Sequence, residues 1–353
     1  MSLTVVLTKF DAERWQCLDP GSPVQSGPWV RIMLSRLPGD PLMVVLERAD
    51  GALGFTGAVV SDPGAYEAYN PWAILRRQKP VFGEAHTAGR VPPAIADQAE
   101  ALLPGVVLVA PGYLGDPVGP LADRPDAVRE GLTGVVDWAR GEGMSSVSVL
   151  YTSLDAAAVV GWAVARLGGA TFPLTSRFTL PVSWSHWQEY VADLPKDHRN
   201  EPGRQMRRLS EGGCTVTCEA PELAFDDIVA ARCELLRWCR QPVDESDERY
   251  QLASLIDAFG SDLLLFATRR DGELLSGGLF LAYGRTLLNV YTGTTVQGRQ
   301  TPFAHLAATY HGPVGFVTQE RFDVIDYGVG HGDTKRLQGC QELPMYGHVI
   351  PLS

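Results

Sequence analysis

Several things are scarce or missing in this 353-residue sequence, and each absence removes a class of function. No uninterrupted apolar run approaches the roughly 18 residues that a membrane-spanning helix requires. The start, MSLTVVLTKFDAERW, lacks the basic segment, apolar stretch and small-residue cleavage site of a secretion signal, so a soluble cytoplasmic protein is expected. The six cysteines (Cys17, Cys214, Cys218, Cys233, Cys239, Cys340) form no Cys-x-x-Cys pair, so no zinc site is expected and they read as reduced, mostly buried thiols. There is no G-x-S-x-G elbow and no G-x-x-x-x-G-K-[ST] phosphate loop, and Gly328-Val329-Gly330-His331-Gly332 lacks the βαβ setting of a dinucleotide fingerprint. Hydrolase, nucleotide-triphosphatase and dehydrogenase readings therefore drop out.

Positive charge is also short. Thirty basic residues face 41 acidic ones, a net charge of −11, which opposes non-specific attraction to DNA, RNA or anionic lipid and confines any nucleic-acid contact to a local patch. Only four of the basic residues are lysines (Lys9, Lys79, Lys196, Lys335), and the abundance of Ala, Gly, Val and Pro fits G+C-rich codons and a bacterial source. What is present is ordinary globular composition, 45% apolar and 20% charged, in a chain longer than one hydrophobic core usually organises.

Periodicity divides the chain in two. Residues 23–36 read as a short helix, and the runs 42–46 and 55–60 around Ala49-Asp50-Gly51 as a hairpin. The Pro-, Gly- and Tyr-rich stretch 61–92 reads as a long loop. A buried strand at 105–110, a helix over 124–141 with Val128, Leu132, Val135, Val136 and Ala139 on one face, a strand at 146–151, an Ala-rich helix at 154–167 and an extended segment at 171–181 follow. From about Ser183 the order recurs: a helix through Trp187 and Leu194, a basic segment 196–208, a strand at 215–218, a helix over 225–239, and a hairpin whose strands 263–268 and 275–282 flank Arg270-Asp271-Gly272, with 287–291 behind. A helix from His305 to Gln319 and a strand at 324–327 lead to the carboxy-terminal glycines.

Two segments carry a resemblance. WSHWQEYVADLPKDHRNEPGRQMRRLSEGG (184–213), with its Trp, its helix ending in Leu and its R-x-x-x-x-R-x-x-R-R run, and the G-x-x-x-x-K-x-x-x-G element near the end are similar to the Fem-type aminoacyl and peptidyl transferases of the GNAT superfamily. The resemblance implies an α/β fold of two tandem GNAT-like domains, residues 1–175 and 176–353, each a mixed twisted sheet flanked by helices. It implies an acyl or aminoacyl transferase needing no bound cofactor, with the 3′ end of an aminoacyl-tRNA as donor and an amine or hydroxyl of a small molecule as acceptor, in a biosynthetic setting. The coiled-coil arm of many cell-wall Fem enzymes is missing, and 61–92 has no counterpart. An acyl-CoA-dependent N-acyltransferase and a non-catalytic binding protein are the alternatives; against the former, Thr294-Thr295-Val296-Gln297-Gly298-Arg299-Gln300 does not match the Q/R-x-x-G-x-G/A turn that seats the CoA pyrophosphate.

The candidate residues fall in three groups. Lys335, a rare lysine in a Gly-rich turn and at the lysine position of the family element, can bring an ammonium to an oxyanion or phosphate; the plainer expectation is a surface lysine paired with Asp333 or Glu342. Beside it Asp326, Tyr327 and His331, with Tyr291 from the neighbouring strand, are candidate acids or bases, or else buried, capping and turn residues. Arg199, Arg204, Arg207 and Arg208, with Lys196 and His198, suit phosphates of a tRNA end, Arg204 and Arg208 being one helical turn apart, unless they form a merely solvated face. Tyr69 and Trp72 read as an aromatic wall for the acceptor, or as loop anchors. His305 and His311, six apart, share no helix face and suggest no metal site.

Overall fold

The computed structural model describes residues 4–8, 10–76, 101–318 and 322–352. Most of the stretch 77–92 of the expected loop, and Gln319, lie outside these. The chain forms two compact units, one of residues 1–177, 329–332 and 342–353, the other of residues 178–328 and 333–341.

In the first unit the sheet order is β1-β2-β3-β4-β5-β12-β6, with β1 Thr4–Thr8, β2 Asp40–Arg48, β3 Gly51–Val60, β4 Gly105–Leu108, β5 Ser146–Thr152, β6 Ala170–Pro181 and β12 Gln341–Pro351. The strands β1 to β4 pair antiparallel, and then β4 runs parallel to β5. A parallel pair requires a crossover, and helix Pro125–Gly141 supplies it. Its Pro125 stands at the first turn, where no N–H is needed, and the expected stripe of Val128, Leu132 and Val135 is wholly buried, each side chain contributing about 1.5–3 kcal/mol by leaving water. Helix Leu154–Arg166 is capped by Ser153, whose hydroxyl accepts from the Ala156 N–H. Before the break in description, Glu67–Tyr69 forms a 3-10 turn and Pro71–Arg76 a helix inside the expected loop.

The second unit repeats this plan. β7 (Cys214–Glu219), β8 (Leu263–Arg270), β9 (Glu273–Tyr283) and β10 (Thr286–Thr294) pair antiparallel in that order, and β10 then runs parallel to β11 (Val324–Val329). Asp271 and Gly272, at φ 53° and 85°, make the two-residue turn between β8 and β9 that sequence periodicity indicates. Helices Phe225–Trp238 and Glu245–Phe259 fill the β7–β8 connection.

Four expectations need correction. The single helix from His305 is instead Ala304–Leu306, a π-helical turn Ala307–His311, and Gly312–Val317. Pro313 has no N–H to donate and its ring crowds the carbonyl four residues back, so the register widens there. The region 240–262, unassigned by periodicity, holds a fifteen-residue helix capped by Asp244. Gln341–Pro351, read without a strand, is β12, antiparallel to β5. The cysteines are free, but Cys17, Cys218 and Cys239 are exposed. No described helix is long and apolar enough to cross a membrane.

Candidate functional site

Within the second unit, β10 and β11 pair over only three positions, Thr286 with Val324 to Leu288 with Asp326, although β10 runs on to Thr294 and β11 to Val329. A β-bulge between Asn289 and Tyr291 re-aims β10 where the pairing stops. Parallel strands that part leave backbone and side chains facing an opening, and four of the sequence candidates gather on these strands and just beyond.

Tyr291 is 7% exposed, and the Arg232 guanidinium lies 5.0 Å from its ring centroid. Arg232, from helix Phe225–Trp238, also donates to the Thr292 carbonyl at 3.2 Å and stands 3.7 Å from the buried Glu248 carboxylate. Burial, and after it the Glu248 carboxylate, push the Tyr291 phenol well above its ordinary range. Tyr327 on β11 is buried against Tyr310 (ring centroids 4.7 Å apart) and Phe280, and its hydroxyl has no partner among the described residues. Burial raises its pKa well above 10, so it stays protonated and keeps a proton to donate. Asp326 accepts the Gly328 N–H at 2.8 Å, a turn-capping contact.

Lys335 is neither in the glycine turn nor on the surface. It lies on helix Gly332–Leu337 and is 5% exposed, its ammonium donating to the carbonyls of Tyr327 (2.7 Å) and Gly328 (3.1 Å) and lying 5.3 Å from the Phe178 ring centroid. Asp333 pairs with Arg336 at 2.8 Å instead. A buried ammonium must be met by acceptors, and the carbonyls at the end of β11 meet it, so Lys335 fixes the strand end that carries Tyr327.

At the end of β10 the chain turns into helix Val296–Gln300, with the Thr295 hydroxyl accepting from the Gly298 N–H at 2.9 Å. A Cβ on Gly298 would stand 1.9 Å from the Leu275 carbonyl oxygen, so only glycine fits. The Val296 N–H donates to the Glu234 carboxylate at 2.5 Å. Two N–H groups of this turn are thus already taken, one by a negative charge.

The basic segment forms helix Glu201–Glu211, anchored by buried Pro202, Gln205 and Leu209. Arg204 and Arg208 share its outer side but line different grooves: one of about 460 Å³ is walled by Trp187, Val191, Arg199, Gly203, Arg204 and Arg207, and one of about 380 Å³ by Arg208, Arg270, Gln297, Gln300 and Thr301. Arg204 pairs with Glu201, and Arg199 donates to the Leu194 carbonyl. Among the described residues, Arg207, Arg208 and Arg270 make no ion pair. Lys196 and His198 sit in a 3-10 turn ahead of the helix.

The remaining candidates lie in the first unit. His331 is exposed at φ 54°. Tyr69 is 3% exposed, stacked on Tyr113 at 5.1 Å, its hydroxyl accepting the Gly112 N–H; Trp72 is half-buried with the Arg76 guanidinium 4.8 Å from its ring centroid. Among the described residues no three His, Cys, Asp or Glu side chains are placed to hold a metal ion. Sequence reading missed Arg232, Glu234, Glu248, Arg270 and Trp187. Arg232 and Glu234 lie on helix Phe225–Trp238, which apolar spacing alone identifies, and Glu248 lies in the region that periodicity leaves unassigned.

Antiparallel strands leading into a parallel pair occur twice in one chain, in β1 to β5 and in β7 to β11. A crystal structure of FemX superposes with a TM-score of 0.60 at 10% sequence identity, over 97% of this chain and 96% of that one. A protein of unknown function from Bacteroides thetaiotaomicron matches at 0.58 and 10% identity, over 98% and 100%. The chain therefore shares the fold of FemX. No family model matches the chain, and no curated protein matches it in sequence.

Proposed function

We propose that the protein is an acyl-group transferase that moves an aminoacyl group from the 3′ end of an aminoacyl-tRNA to an amine or hydroxyl of a small biosynthetic acceptor. The observation that carries this reading is Glu234. Its carboxylate sits on the Val296 N–H, in the turn where an acyl-CoA enzyme of this superfamily seats a pyrophosphate. A carboxylate on that N–H repels a phosphate seated at the start of helix Val296–Gln300, whereas Arg208 and Arg270 attract phosphate to the groove lined by Gln297, Gln300 and Thr301.

In this reading the acceptor attacks the ester carbonyl, negative charge grows on the carbonyl oxygen, and the tRNA ribose oxygen leaves. A phenol held protonated by burial, Tyr327 or Tyr291, donates a hydrogen bond to that charge, and Lys335 acts by positioning the end of β11. Asp326 is the candidate on the same unit for taking the acceptor's proton. No covalent enzyme intermediate or bound cofactor is required, and positioning supplies most of the rate. Filter binding and thermal shift against a pool of charged tRNA and against acetyl-CoA test this. Salt-sensitive tRNA binding without stabilisation by acetyl-CoA is expected; stabilisation by acetyl-CoA without tRNA binding assigns the acyl-CoA reaction instead, and no response to either leaves a non-catalytic binding protein.

A further inference from the structure

We infer that the two grooves beside helix Glu201–Glu211 form one track for a single-stranded RNA end, with Trp187 stacking a base in the first and Arg208 and Arg270 holding backbone phosphates in the second. The inference rests on the aminoacyl-tRNA reading and names where that donor lies.

The two grooves differ in chemistry. The first offers a half-exposed indole with Val191 beside it and the guanidiniums of Arg199, Arg204 and Arg207 around the rim, a flat apolar surface bordered by cations. Trp187 is held in place, 5.5 Å from Tyr190 and 5.8 Å edge-on from His311 between ring centroids, so its orientation is set before any ligand arrives. The second has no aromatic residue but concentrates donors: two guanidiniums, the Gln297 and Gln300 amides and the Thr301 hydroxyl. Consecutive residues Arg207 and Arg208, about 100° apart around the helix, supply one cation to each. In a chain of net charge −11, the ion-pair-free Arg207, Arg208 and Arg270 make a local positive strip. Stacking platforms alternating with cations bind single strands, whose bases are free to leave the stack, whereas a duplex presents no base face.

Charged tRNA, uncharged intact tRNA and uncharged tRNA lacking its unpaired 3′ nucleotides are each titrated against the full-length protein over a range of salt. Each lost phosphate contact lowers the slope of log K against log salt by about 0.7, so Arg208→Ala and Arg270→Ala are each expected to do so. Trp187→Ala is expected to weaken binding about tenfold with the slope unchanged, Trp187→Phe to restore most of it, and the trimmed tRNA to be insensitive to both. Gly203→Leu fills the first groove without disturbing packing, since a Cβ there meets nothing within 4 Å and leucine favours the helix, and it too should weaken binding. Wild-type tRNA binding with unchanged slope and affinity in all these variants overturns the track and leaves the aminoacyl-tRNA reading standing. No tRNA binding by the wild type, with CoA bound through Arg208 and Arg270, overturns both.

Discussion

Beside the parallel pair of the first unit, four tyrosine hydroxyls are engaged. Tyr151 donates to the Ala68 carbonyl at 2.5 Å, Tyr69 accepts the Gly112 N–H at 3.1 Å, and Tyr66 and Tyr113 share a hydrogen bond at 3.2 Å. Tyr113 and Tyr151 hold left-handed backbone (φ 62° and 63°), which tyrosine adopts only when its surroundings impose it. In the second unit, Tyr327 on the corresponding strand β11 has a buried hydroxyl that meets no partner among the described residues. A buried unmet hydroxyl costs about 1–3 kcal/mol, a cost that Tyr327 on β11 carries and Tyr151 on β5 does not. The lesson is that duplicated topology does not duplicate the site; the difference lies in which hydroxyls are satisfied.

The largest effect that can break this comparison is at Lys335. Lys335→Met removes a charged donor from two buried carbonyls and should lower stability by about 3 kcal/mol or more in urea unfolding, with faster amide exchange along β11. Wild-type stability would mean the ammonium does not fix that strand. Next in size is acid sensitivity. His311 is pushed down to about 4 and His348 to about 3 by burial, His348 with both ring nitrogens bonded at 2.8 Å to Thr152 and Thr171. Because the folded pKa values lie below the unfolded 6.5, the unfolded chain binds the extra protons, and stability is lost as pH falls below about 6.5, by up to about 1.4 kcal/mol per pH unit for each histidine. Unfolding curves at pH 7 and pH 5 should show a flatter dependence in His311→Gln and in His348→Gln; an unchanged slope would show that the ring is not buried neutral.

Smaller, and sharper for the contrast, is the tyrosine pair. Tyr151→Phe strands a buried carbonyl and should cost about 1–2 kcal/mol, whereas Tyr327→Phe removes an unmet hydroxyl and should be neutral or stabilising. Equal losses in thermal unfolding would erase the difference between the units. Smallest are the helix caps: Ser153→Ala in the first unit and Asp244→Ala in the second should each cost about 1 kcal/mol by the same measurement.

Much of this fold is legible in the sequence, and the exceptions have physical causes. Hairpins and helix Pro125–Gly141 stand out because one face is apolar at an unbroken period. Helix Glu245–Phe259 does not, because Glu248 and Gln251 sit on its inward face among Leu252 and Leu255. β12 contains Pro344 and Gly347, residues poor in strands, and its partner β5 lies far back in the sequence. Gly347 is there because a Cβ would strike the Phe172 ring at 2.6 Å, a reason visible only in three dimensions. Of the site, the scarcity of lysine pointed to Lys335 and helical spacing to the arginines. Whether a charge is buried, as at Lys335, or placed against a neighbouring N–H, as at Glu234, depends on contacts that linear spacing does not encode.

The most direct test follows transfer of a labelled amino acid from charged tRNA to hydroxylamine as a general acceptor, corrected for the uncatalysed reaction and for folded protein. The wild type should accelerate formation of the hydroxamate, Tyr151→Phe should retain that acceleration, and Tyr327→Phe should lose at least tenfold of it. Full activity in Tyr327→Phe with loss in Tyr151→Phe would place the chemistry in the first unit and contradict the account.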